Sequence, residues 1–234
     1  MNRAKGGGWE FLEVTGCPGY TWNPASGCDN LNCAVRKRGV CWAEKIVKRL
    51  GHVCHWCPSF RPHMHLDRLF EPFQLKKPAV ITPVSTGDLF GLPSHMTRNI
   101  MDTVKGASWH TFATLTKMPQ NAHKFSPFPE NVWFGVTVNE QEDTWRLDEL
   151  REIEAPVRWV IFEPLYSAID HDLSWLDWIV LGPQTRPELQ PKKEWVQSVL
   201  DNAPEVPIFM KSTLDWTPKR RDGPVLGIPA SKRD

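Results

Sequence analysis

Between residues 79 and 212 the chain alternates short, wholly apolar runs with longer polar or amphipathic stretches, and no other feature restricts its fold as strongly. AVITPV (79–84), WHTFATLT (109–116), NVWFGVTV (131–138), RWVIFEP (158–164), DWIVLGP (177–183) and PIFMKS (207–212) are rich in β-branched and aromatic residues and read as strands. Pro93 and Ser94 open a helix over 93–105, a charged helix follows over 140–153, and another runs from Lys192 to about Asn202. Strands that are apolar on both faces suit a parallel sheet covered by helices. Strand, loop, helix and strand, repeated at least five times, make an α/β chain. With neither G-x-G-x-x-G nor G-x-x-x-x-G-K-[ST] in the sequence, the expected fold is a complete or partial (β/α) barrel of mostly parallel strands, its first strand near Tyr20–Trp22.

In such a barrel the residues just after each strand line one mouth, where active sites sit. Here they are polar: Ser85, Thr86 and Asp88, then Thr116 and Lys117, Thr137 and Asn139, Glu163, Gln184 and Thr185, and Lys211. Glu163 stands out, because a carboxylate between an apolar strand and a proline is partly buried and needs a partner.

Of six cysteines, five fall between residues 28 and 57. The N-terminal MNRAKGGGWEF lacks the apolar stretch of a secretion signal, so the chain reads as cytoplasmic, where thiols stay reduced and clustered cysteines read as metal ligands rather than disulfides. Cys28, Cys33 and Cys41 form C-x4-C-x7-C in a loop that would leave the top of the first strand. Three thiolates can hold three irons of a [4Fe–4S] cluster and leave the fourth open. They can equally hold zinc, with Cys17 or a histidine as fourth ligand, and spacing alone does not choose. Cys54 and Cys57 form C-x2-C with His63 and His65 close behind. This second candidate site is a closed zinc site, a second cluster completed by Cys17, a redox dithiol, or spare thiols.

The 234 residues are 41% hydrophobic, enough for one core, and a net charge of +1 gives no general basic field. No apolar run is long enough to span a membrane. Residues 1–16 and 215–234 read as loose tails around one domain, 17–214, which carries the cysteine loop 28–41 and a Cys/His insert 52–65. Trp133, Trp159, Trp178 and Trp195 read as core, Trp22 and Trp42 flank the cysteine loop, and Arg36, Lys37 and Arg38 read as a solvated charge run.

The ordered series YTWNPASGC (20–28), CWAEKIVKRL (41–50), FRPHMHLDRLFEPFQLKKPAVI (60–81), STGDLFG (85–91), TLTKMPQ (114–120), NVWFGVTVNEQEDTWRLDEL (131–150), FEPLYSAI (162–169), LDWIVLGPQT (176–185) and KKEWV (192–196) resembles the phage Gp37/Gp68-like family of radical-SAM-like proteins over nearly all of 20–212. The resemblance implies a radical-SAM-type barrel in which Cys28, Cys33 and Cys41 bind a [4Fe–4S] cluster whose open iron takes S-adenosylmethionine. It places Ser85, Thr86, Gly87 and Asp88 near the cofactor's amino group, and Thr137, Asn139, Glu163, Gly182 and Gln184 near its ribose, its adenine or the substrate. Asp88, Glu163 and Lys117 are then the candidate reactive-site residues. The family's cysteine loop usually reads C-x3-C-x2-C with an aromatic before the last cysteine, whereas this chain inserts AVRKRGV and has Val40 there. The implied activity is reductive cleavage of S-adenosylmethionine to a 5′-deoxyadenosyl radical, with a small electron-donor protein or other reductant as partner and a nucleotide or nucleic acid as candidate substrate. The competing expectations are a zinc-stabilised, non-catalytic barrel that binds nucleic acid, and a degenerate member that keeps a cluster without activity.

Overall fold

The computed structural model describes residues 1–4, 8–52 and 54–224. One sheet of eight strands runs through it: β1 (Asn2–Arg3), β2 (Gly19–Trp22), β3 (Val80–Pro83), β4 (Thr111–Thr116), β5 (Val132–Thr137), β6 (Val157–Phe162), β7 (Trp178–Leu181) and β8 (Ile208–Met210). Each strand pairs with its neighbour in sequence; β2 to β8 are parallel, and only β1 is antiparallel. No ladder joins β1 to β8 among the described residues, so the barrel is partial. The helices are α1 (Ala34–Lys37), α2 (Trp42–Lys48), α3 (Glu71–Gln74), α4 (Ser94–Gly106), α5 (Trp145–Arg151) and α6 (Lys193–Asp201). The α/β expectation holds, and the strand positions match those read from the apolar runs. None of the helices in the described residues is long and apolar enough to cross a membrane.

The two-residue period of the strands divides the sheet into two apolar layers. Val132, Phe134 and Val136, with Val160, Phe162, Ile179, Leu181, Ile208 and Met210, face the helices. The alternate positions Trp133, Trp159, Ile161, Trp178, Val180 and Phe209 face the concave interior. Gly135 shares that inner face, and a Cβ there would lie 2.3 Å from the Trp159 ring, so glycine is what admits the indole. Trp133, Trp159 and Trp178 are core as expected, Trp195 is partly buried against the outer layer, and Trp22 is buried while Trp42 is exposed.

The segment expected as a loose N-terminal tail is instead part of the core. Asn2 and Arg3 pair with β2, and Phe11 and Leu12 in a 3-10 turn, Glu10–Glu13, are fully buried. Phe11 packs 5.7 Å from Trp159 and 5.8 Å from Trp178 between ring centres, filling part of the barrel interior. Glycines and charges around this single turn hide its two apolar residues from a composition-based reading. At the other end, Arg221 bridges to Phe209 and the Asp222 carbonyl accepts from Trp178 Nε1 at 2.8 Å, so residues 215–224 are packed rather than loose. Residues 225–234 of that expected tail lie outside the described residues.

Candidate metal centre and cofactor cavity

Above the tryptophan layer the interior opens into a cavity of about 340 Å³ at the C-terminal ends of the strands, within the range of small-molecule sites. Its floor and walls continue the inner-face period: Thr82, Leu115, Thr137, Ile161 and Glu163. Cys28, Cys33 and Cys41 line the same cavity from the loop that leaves β2. Thr82 Oγ1 is buried there without a hydrogen-bond partner among the described residues.

Close backbone approach sets the course of the cysteine loop. Gly27 has φ +95°, and a Cβ on it would lie 2.2 Å from the Arg61 carbonyl oxygen. It bridges Gly87, where a Cβ would lie 2.4 Å from the Gly27 carbonyl oxygen. Only glycine fits either place, so the SGC and STGD sequences touch through their glycines. Cys33 and Cys41 then stand at the N-terminal ends of α1 and α2. Of the charge run expected to be solvated, Lys37 and Arg38 are exposed and Arg36 is half-buried, and both arginines have partners. Arg36 donates to the Cys28 carbonyl at 2.9 Å and lies against Glu44 and the Phe60 ring. Arg38 pairs with Glu140 at 2.7 Å and stacks on Tyr166. Lys37 alone of the three has neither kind of contact among the described residues and is exposed. The middle of the insertion is thus tied to its surroundings by two of its own charges.

Burial pushes the Cys28 thiol up to about 12, with the nearby Asp88 carboxylate acting the same way. Burial also raises Cys41. Cys33 adds to the rise at both, and Lys117 opposes it at both. The three thiols and Lys117 therefore share one electrostatic neighbourhood, in which thiolates need a bound cation to persist.

Asp88 lines the cavity, and its carboxylate is hydrogen-bonded. It accepts from the backbone N–H of Phe90 and Gly91 (3.2 Å each), from Thr116 Oγ1 (2.5 Å) and from the Lys117 N–H (2.8 Å). Three of these donors meet Oδ1 and one meets Oδ2, so Asp88 locks the loop after β3 to the end of β4 and keeps acceptor capacity at Oδ2. Ser85 and Gly87 line the cavity, whereas Thr86 faces away and meets Ser26 Oγ at 2.9 Å. Asn23, which nothing in the sequence singles out, braces this loop through Ser85 Oγ and the Thr86 N–H.

Glu163 has the partner its position demanded. Lys211, 2% exposed, donates to Glu163 Oε2 and to the Gly8 carbonyl, with its ammonium 5.2 Å from the Phe11 ring centre. Gly182 does not line the cavity; a Cβ on it would lie 2.8 Å from Lys211 and 3.1 Å from Glu163, so it makes room for that pair. Gln184 forms part of the wall, with Oε1 accepting from Tyr166 at 2.5 Å and Nε2 donating to Pro187. Asn139 is fully buried away from the cavity, donating to the Pro164 carbonyl at 2.7 Å. Beyond these, Lys45, Arg49, Lys117 and Arg186 line the cavity with no ion-pair partner among the described residues. Exposed Trp42 stands among them.

Cys54, Cys57, His63 and His65 form a separate group that could hold a metal ion, their ligand atoms all within 4.8 Å of one another. Cys17 joins neither set of thiols: it is partly buried against the inner apolar layer, outside this group and the cavity. The three mouth thiols are not drawn together as tightly as the four-ligand group.

A family described as protein of unknown function (DUF5131) matches residues 17–227. Neither a curated protein nor a solved structure matches the chain.

Proposed function

Given that the chain belongs to the DUF5131 family of proteins of unknown function, we propose that it is a radical S-adenosylmethionine-type enzyme whose [4Fe–4S] cluster is held by Cys28, Cys33 and Cys41. The observation that carries this reading is that three thiols from one loop, Cys33 buried and Cys28 and Cys41 half-buried, share a cavity with the polar ends of the parallel strands. Cys28, Cys33 and Cys41 would hold the cluster, which when bound would supply the electron for reductive cleavage of S-adenosylmethionine. The chain's own residues position and shield. Lys117 offsets the negative charge that the thiolates bring. Thr82, with its unpartnered hydroxyl, and Thr137 offer polar contacts inside the cavity. Leu115 and Ile161 give it an apolar floor that excludes water. The electron comes from a small donor protein or other reductant.

The substrate reading is a nucleotide or single-stranded nucleic acid. Lys45, Arg49 and Arg186 put uncompensated positive charge at the mouth of a nearly neutral chain, and Trp42 offers an exposed ring for stacking. Lys45→Glu/Arg49→Glu should weaken binding of a single-stranded oligonucleotide about tenfold or more. It should also lower the slope of log K against log salt by about 1.4, because two phosphates are no longer neutralised. Unchanged affinity and slope would remove this reading.

The test of the enzyme itself is anaerobic reconstitution with iron and sulfide, then dithionite and S-adenosylmethionine. A brown protein holding about four irons at the mouth and releasing 5′-deoxyadenosine is expected. A colourless protein with zinc at the mouth thiols would favour the non-catalytic barrel, and an intact cluster without 5′-deoxyadenosine the degenerate member.

A further inference from the structure

We propose that Cys54, Cys57, His63 and His65 hold a structural zinc ion that fastens the segment carrying Cys28. The tautomer of His63 is fixed by chemistry. Its Nδ1 lies 2.8 Å from the Arg61 carbonyl oxygen, which can only accept, so Nδ1 carries the proton and Nε2 presents a bare lone pair. That Nε2 lies 3.4 Å from both Cys54 Sγ and Cys57 Sγ. Tetrahedral zinc with ordinary Zn–S and Zn–N bonds sets a sulfur-to-nitrogen separation of about 3.6 Å, so the three atoms stand nearly where an ion would hold them. His65 Nε2 is engaged by Ser26 Oγ at 3.1 Å, which leaves Nδ1 to complete the set. Both histidines thus have the outer hydrogen bond that orients a metal-binding imidazole. Cys57, His63 and His65 are buried, and two thiolates with two imidazoles make a closed structural site. The two-residue spacing of the histidines is workable because they sit at and just beyond the short ribbon that pairs Ala25–Ser26 with His63–Met64.

The same ribbon explains what the ion would do. Ser26 pairs with His63, and the next two residues are Gly27 and Cys28. The Cys28 N–H donates to the Phe60 carbonyl at 3.1 Å, and the Arg61 and Phe60 carbonyls fill the space beside Gly27. From His65 the hydrogen bonds run through Ser26 to Thr86 in the loop after β3. Zinc would therefore anchor the strip of backbone against which both the first mouth cysteine and the STGD loop are laid. This does not require that the mouth thiols bind a cluster.

The test is metal analysis of the full chain, grown with both zinc and iron. Wild-type protein should carry one zinc per chain, and Cys54→Ser/Cys57→Ser should lose it. His65→Cys, which keeps four ligands, should retain zinc. With cobalt substituted, its thiolate charge-transfer absorption should rise by about half, from two thiolates to three. Stripping zinc from wild type with a chelator should speed hydrogen exchange at the Gly27 and Cys28 amides about tenfold or more, as expected when a brace on local opening is removed. Wild-type protein free of zinc, iron in its place, a Cys54–Cys57 disulfide, or zinc retained in full by Cys54→Ser/Cys57→Ser would each overturn the site. Unchanged exchange would overturn the bracing role.

Discussion

Cys33→Ser is expected to abolish 5′-deoxyadenosine formation and to strip most iron from the reconstituted protein, while Cys17→Ser leaves both unchanged. Cys33 is the thiol that acts electrostatically on both Cys28 and Cys41. It is nearly buried at the head of α1 and lines the cavity. Changes in the outer hydrogen bonds of a metal site cost 10–100-fold, so removing a ligand should cost more than about 100-fold in the rate of product formation. Cys17 is the matched control, a thiol of the same chain that packs away from the cavity. Comparable losses in both variants, by product and iron assays, would mean that general thiol damage rather than cluster ligation was being measured.

The second large effect concerns Glu163 and Lys211. Glu163→Ala should destabilise the fold by about 3–5 kcal/mol, because it leaves a buried ammonium without its carboxylate. Lys211 is almost wholly buried, and the Gly8 carbonyl and the Phe11 ring, its other neighbours among the described residues, carry no negative charge to replace the carboxylate. Replacing both charges, as in Glu163→Leu/Lys211→Met, should bring stability back to within about 1 kcal/mol of wild type, since well-packed apolar pairs often match buried ion pairs. The double variant still lacks a polar wall of the cavity, so product formation should fall while folding recovers. Urea midpoints for Glu163→Leu, Lys211→Met and the double variant give the coupling directly. Additive losses would show that the pair is not coupled.

Much of this fold is legible in the sequence, and the reason is periodicity. Runs such as NVWFGVTV and RWVIFEP carry apolar residues for both faces of a covered strand, so β5 and β6 are plain. The two-residue period then brings Thr137 and Glu163 to the inner face at the mouth. The same rule fails one step beyond the strand. β5 ends at Thr137, and the loop turns Asn139 under Pro164, where it supports the backbone. Gly182 has the opposite explanation: it matters through the side chain it lacks. Asp88 lies in the expected loop, but only the fold brings four donors to its carboxylate. Thr82 is hidden inside an apolar run, where a lone threonine gives no signal of facing a cavity. The contact between Gly27 and Gly87, 60 residues apart, cannot be read locally at all.

In the proposed enzyme, three thiols at the barrel mouth hold a cluster with one iron open to S-adenosylmethionine. Electron paramagnetic resonance of the anaerobically reduced protein, with and without S-adenosylmethionine, tests it most directly. The expected result is the signal of a reduced [4Fe–4S] cluster whose g values shift when S-adenosylmethionine is added, and which disappears in Cys28→Ser, Cys33→Ser and Cys41→Ser. A cluster signal indifferent to S-adenosylmethionine, or no cluster signal from a protein with zinc at these thiols, would contradict it.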